Sequence, residues 1–191
     1  MRLFPVLKAA DWDGLAEGAR AHVWVGTPDA PRILVAYAWL NEGQLRYMTI
    51  DNDPYQSTDE MVAEAFDNLA TSHAGFELIE ADGGRMLLSA GLSFSSEQVL
   101  CRPHMKIAHD KLDTDEILVS IPRRGLMFAC AADAEDSVKK SMAKLHQESV
   151  AESATDPSRI TNEIIVMEDG IKSGSLDIRD LLAVASKDVC R

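Results

Sequence analysis

Apolar and polar positions along the chain change period in a recurring order. ILVAYAWL (33–40) is an uncharged run rich in branched and aromatic side chains, the pattern of a strand covered on both faces. NEG (41–43) supplies a tight turn, and QLRYMTI (44–50) sets Leu45, Tyr47 and Thr49 against Arg46, Met48 and Ile50, so the two segments predict a β-hairpin. HVWV (22–25) predicts a short strand ahead of it, and the prolines of GTPDAP (26–31) are expected to interrupt a sheet. Thr58 is placed to cap the first helix, with Asp59 and Glu60 in the first turn, where the helix dipole favours them. Val62, Ala65, Phe66 and Leu69 then recur at helical spacing, and Phe66, central on that stripe, is expected to be buried.

The switch from alternation to helical period repeats twice. FELIEA (76–81) and RMLLSAG (85–91) flank a glycine turn, and Ser95 with Gln98 forms an S-x-x-Q box before a helix striped by Val99, Leu100, Pro103, Ile107 and Ala108. Pro103 has no amide proton, so this helix is either kinked or preceded by a short turn. EILVSIP (116–122), the turn RRG and LMFACAA (126–132) make the third hairpin. Asp133 is the expected cap of its helix, striped by Ala134, Val138, Met142 and Leu145. Hairpin and helix thus alternate over about 33–73, 76–111 and 116–151, which predicts an α+β fold of repeated β-hairpin–helix units on a mixed, largely antiparallel sheet. ESATDPSRIT (152–161) reads as a loop. The expectation is a single domain over 1–191, its core about 22–151, with a C-terminal strand and short helix within 162–189.

Length and charge narrow the function. A chain of 191 residues with 46% apolar and 26% charged side chains can build an ordinary core. Against 31 acids stand 19 bases, a net charge of −12 that argues against nucleic acid or an anionic membrane as the main partner. The opening MRLFPVLKAADWDG meets Lys8, Asp11 and Asp13 before a secretory segment can form, and no uncharged stretch is long enough to span a bilayer. Cys101, Cys130 and Cys190 are sparse and lack any CxxC pair. These features predict a cytoplasmic chain with reduced thiols.

In the third unit, DEILVSIPRRGLMFACAADAED (115–136) resembles the DUF1444 (YtpQ-like) proteins, a bacterial family of unknown function. There a hydrophobic strand, a proline-bearing turn and a second strand precede a helix. LRYMTIDNDPYQSTDEMVAEAFDNLA (45–70) and GGRMLLSAGLSFSSEQVL (83–100) resemble its other recurring parts in the same order, so the likeness covers most of 33–150. It implies a shared fold and gives no residue a catalytic role.

Candidate chemistry is sparse. Asp51, Asn52 and Asp53 offer oxygens to a hard cation, but Gln56 and Val62 occupy the positions where an EF-hand needs glycine and glutamate, so a turn and cap explain the loop better. Cys101, His104 and His109 have soft-metal side chains without the spacing of a zinc site, and read as a buried thiol and surface histidines. Cys130 lies among alanines, with no base beside it to favour the thiolate. Ser93, Ser95 and Ser96 lack a G-x-S-x-G frame, and Gly83 and Gly84 lack phosphate-loop spacing. Arg123 and Arg124 stand apart: a cationic pair at a glycine turn in an acidic chain. They are the candidate anion or partner contact, set against the simpler reading of a solvated hairpin turn. The expected function is a non-enzymatic adaptor or interaction module with no cofactor or metal. Its partner is an unknown protein, a small molecule or a second copy in a homo-oligomer. The alternative is an enzyme or small-ligand-binding protein whose site assembles from residues distant in sequence.

Overall fold

The computed structural model describes every residue except 73, 82, 92, 153–157 and 185–191, so Cys190 lies outside the described residues. The fold is α+β, with every described strand pairing antiparallel. The chain divides into two compact units, Met1–His73 and Ala74–Arg191.

In the first unit, β1 (Arg2–Ala9) pairs along one edge of the long β3 (Ala30–Asn41). Both β2 (Ala21–Thr27) and β4 (Gln44–Tyr47) pair with its other edge, β2 towards the start and β4 towards the end. The prolines expected to break the sheet are accommodated instead. Pro28 lies in the two-residue connection between Thr27 and Ala30, while Pro31 pairs with Gly26 at a bulge, where a missing amide does least harm. Leu3, Phe4, Val6 and Leu7 of β1 are buried, as are Ile33 to Ala38 of β3. Helix α1 (Thr58–Ala70) packs on β1. Its cap is Ser57 rather than Thr58, accepting from the Glu60 amide at 3.2 Å. Met61, Ala65 and Leu69 face inward, while Phe66 is only half-buried, a correction to its expected place in the core.

In the second unit six strands run in the order β10-β9-β7-β8-β6-β5. They are β5 (Glu77–Ala81), β6 (Gly84–Ala90), β7 (Glu116–Arg123), β8 (Leu126–Ala131), β9 (Glu163–Glu168) and β10 (Ile171–Asp177). Helix α2 (Arg102–Leu112) follows β6, α3 (Asp136–Glu152) follows β8, and α4 (Ile178–Val184) follows β10. The hairpin–helix unit therefore occurs a fourth time at 163–184, where the sequence suggested one strand, a turn and a terminal helix. The hairpins are also distributed over two sheets rather than sharing one surface.

Local chemistry corrects the expected boundaries. A short 3-10 turn, Glu97–Leu100, precedes α2, and Pro103 sits in the first turn of α2, where its missing amide proton has no intrahelical acceptor to lose. The inward face of α2 is Met105, Ala108, His109 and Leu112, with Ile107 exposed, because the helix begins at Arg102 and not at the serine box. Helix α3 begins three residues after Asp133 and buries Val138, Met142, Ala143 and His146. Val138, Met142 and Ala143 pack with Met86, Leu118, Phe128, Cys130 and Ile164 of the sheet and with Ile178 and Leu181 of α4. Among the described residues no helix is long and apolar enough to cross a membrane.

Candidate functional site

The turn carrying Arg123 and Arg124 is built by the strand that precedes it. Pro122 cannot donate to a ladder, and the β7–β8 register shifts between Ser120 and Arg123. Arg123 then pairs with Leu126, which leaves Arg124 and Gly125 as the connection, with Gly125 at φ +73°.

The turn is not the solvated loop that its sequence suggested. Arg123 and Arg124 are half-buried, and two backbone–backbone bonds and one bond to a serine side chain anchor the turn. The Ile160 amide donates to the Pro122 carbonyl at 3.0 Å, and the Arg124 amide donates to the Ser158 carbonyl at 2.8 Å. The Gly125 amide donates to the Ser96 hydroxyl oxygen at 2.9 Å. Ser96 passes its own proton towards Glu97, donating to Oε2 at 2.7 Å, and both residues are fully buried. The strained backbone of Phe94, at φ +70°, precedes this buried run. Ser95 and Ser96 therefore do not cap a helix; Ser96 holds the arginine turn from below, and Ser93 is exposed.

Segment 158–160 adds a residue that sequence reasoning missed. Arg159 forms an antiparallel bridge directly opposite Arg123. Opposed residues of such a bridge project to one face with their Cβ atoms about 5 Å apart, and like charges there are unfavourable. Arg159 is exposed, and among the described residues no carboxylate pairs with Arg123, Arg124 or Arg159. The Arg123 Nε is buried without an acceptor. Only the pairing across 36 residues of sequence brings this third cation to the turn, so no local motif could signal it.

The other candidates separate. Asn52 Oδ1 accepts from the Thr49 amide at 2.7 Å, Asp53 Oδ1 accepts from the Tyr55 amide at 2.9 Å, and Arg20 Nε lies 2.9 Å from Asp53 Oδ2. That loop is turn chemistry. Cys101 is buried at the start of α2, and His104 stacks on Phe76 with ring centroids 4.4 Å apart, its pKa lowered to about 4 by burial. His109 is buried rather than at the surface: Nε2 accepts from the Gly170 amide at 3.1 Å, so Nδ1 carries the proton and donates to the Thr114 carbonyl at 3.0 Å. Cys130 is fully buried, and burial pushes its thiol up to about 12. Among the described residues no three His, Cys, Asp or Glu side chains are grouped to hold a metal ion.

A second pairing was also invisible in sequence. Ser120 Oγ and His146 Nδ1 lie 2.8 Å apart, and both residues are 0% exposed. Burial lowers the His146 pKa to about 4, so the ring is neutral at physiological pH. A hydroxyl beside an imidazole is the start of a nucleophile–base pair, but this one is sealed from solvent between α3 and β7. At the far end of β7, an open cleft of ≈ 830 Å³ is lined by Asp110, Asp113, Asp115, Glu116 and Glu168, with Asp169 held by Arg102 and Lys106. Hydrogen bonds from Lys106 and Arg102 keep the Asp169 carboxyl below its ordinary range.

Comparison with family models, curated proteins and solved structures found no match to this chain.

Proposed function

We propose that the protein is a non-enzymatic interaction module that engages an anionic partner through Arg123 and Arg124, with Arg159 completing the contact. The observation that carries this reading is the Arg123–Arg159 bridge: two arginines opposed across a backbone pairing beside an anchored turn, with no carboxylate partner among the described residues. An isolated like-charge pair is unfavourable, whereas an anion between the pair turns that repulsion into binding energy. The anchoring bonds are made by backbone groups, so the side chains are presented on a fixed frame, which lowers the cost of association. Kinship with the DUF1444-like proteins is part of the same proposal and rests on the 115–136 motif.

The test compares wild type with Arg123→Ser/Arg124→Ser in quantitative capture from cell extract across a salt series. The reading expects a bound set that salt removes from wild type and that the double variant does not retain. Its melting temperature should change little, since the backbone anchors survive. An identical bound set on both proteins at low salt overturns the proposal.

The second reading, an enzyme or ligand-binding protein assembled from distant residues, is favoured by the Ser120–His146 pair alone. It requires an opening that exposes Ser120. A fluorophosphonate probe that labels Ser120 in the native protein would establish it, and absence of labelling would remove it.

A further inference from the structure

We infer that the arginine turn selects a phosphoryl group over a carboxylate, an inference that rests on reading the turn as an anion contact. Charge is the first ground. Arg123, Arg124 and Arg159 bring three formal positive charges to one turn, and among the described residues none is neutralised by an ion pair. A carboxylate supplies one negative charge, whereas a phosphate monoester carries about −1.5 to −2 at pH 7.

Donor geometry is the second ground. One guanidinium fork satisfies the two coplanar oxygens of a carboxylate and leaves the opposed arginine unpaired. A phosphoryl group presents three oxygens in a tetrahedral array, enough to bridge Arg123 and Arg159 from between and to take a further donor from Arg124. The Arg123 Nε is buried without an acceptor, so among the described residues nothing compensates this guanidinium from the protein side. The backbone narrows the choice further. The amides of Arg124 and Gly125 are already committed to Ser158 and Ser96, so the anion is held by guanidinium groups and not by a backbone nest.

The phosphoryl group can sit on a protein side chain or on a small molecule, and the chemistry at the turn is the same. The experiment uses the full chain labelled with 15N and follows the Arg123 Nε–H resonance during titration with inorganic phosphate, acetate and a phosphoserine peptide. Phosphate should shift that resonance, and acetate at equal concentration should not. Arg159→Gln, a change at an exposed residue, should weaken phosphate binding at least about tenfold, the loss of one charge-assisted pair. Arg123→Lys keeps the charge but lacks the fork and should weaken it similarly. Affinity for the phosphoserine peptide should also rise with pH through about 6, where the monoester dianion forms. A peptide that binds tighter than free phosphate identifies a protein source, and equal affinities identify a small molecule; either supports the inference. Acetate matching phosphate, or an unshifted Nε–H in saturating phosphate, overturns it. If acetate matches phosphate while capture still depends on Arg123 and Arg124, the inference falls and the interaction reading stands. If capture is the same for wild type and the double variant, the interaction reading itself falls.

Discussion

Acidification should destabilise this protein through His146, and the amount follows from its burial. The ring is fully buried against Ser120, and burial lowers its pKa from 6.5 to about 4, outweighing hydrogen bonds with the Asn162 side chain and the Thr161 backbone that favour the charged form. Above pH 6.5 the ring is neutral in both folded and unfolded chains, so it contributes no proton-linked term. Below that value the unfolded chain takes up a proton that the folded chain refuses, and stability falls until the folded pKa is reached. At 1.36 kcal/mol per pH unit, the loss from this residue is about 2 kcal/mol at pH 5 and about 3 kcal/mol at pH 4. His104, also lowered to about 4 by burial, adds a slope of the same sign over the same range. Urea unfolding of wild type and His146→Gln across this range isolates the effect, since His104 and the carboxylates are common to both. The variant should start less stable at neutral pH and then lose about 3 kcal/mol less than wild type on the way to pH 4. The His146 ring protons in native protein should not titrate above pH 5. Equal losses in the two proteins, or a native titration near 6.5, would refute the reasoning.

Four further outcomes test the packing. Val138→Ala, at a fully buried site against Phe128 and Met86, should cost about 2 kcal/mol in chemical denaturation, while Phe66→Ala, at a half-buried site, should stay below about 3 kcal/mol, short of the loss from a fully packed ring. Iodoacetamide should leave Cys130 unmodified in native protein and alkylate it once urea exposes it, as peptide mass spectrometry will report; native labelling at the rate of a free thiol contradicts its burial and its raised pKa. Gly83→Ala should lower the melting temperature, at a cost of roughly 1–2 kcal/mol, because Gly83 sits at φ +86° and a Cβ there meets Glu135 and Ser137.

The hairpins and helices were legible because each rests on local pattern. The apolar runs 33–40 and 116–122, the glycine turns and the stripe of α3 announce themselves within a dozen residues. Strand β1 went unread because LFPVL contains a proline and stands among terminal residues, where alternation is too short to separate from noise; its pairing with β3 supplies what its sequence lacks. Phe66 misled because periodicity locates a face but not the edge of its contact. Arg123 and Arg124 were visible as an odd charge pair. Their anchoring by Ser96 and their opposition to Arg159 depend on contacts 29 and 36 residues apart. The Ser120–His146 pair lies across 26 residues and was hidden for the same reason. Chemistry that assembles across strands leaves no local spacing to read.

If the arginine turn is the contact surface, a bound partner must shield its backbone from solvent. Hydrogen–deuterium exchange of the full chain, alone and with its captured partner, tests it most directly. Slowed exchange is expected in the peptides spanning 120–126 and 158–161, with segment 110–116 at the acidic cleft unchanged. Protection confined to 110–116 or 163–170, with 120–126 exchanging as in the free protein, would contradict it.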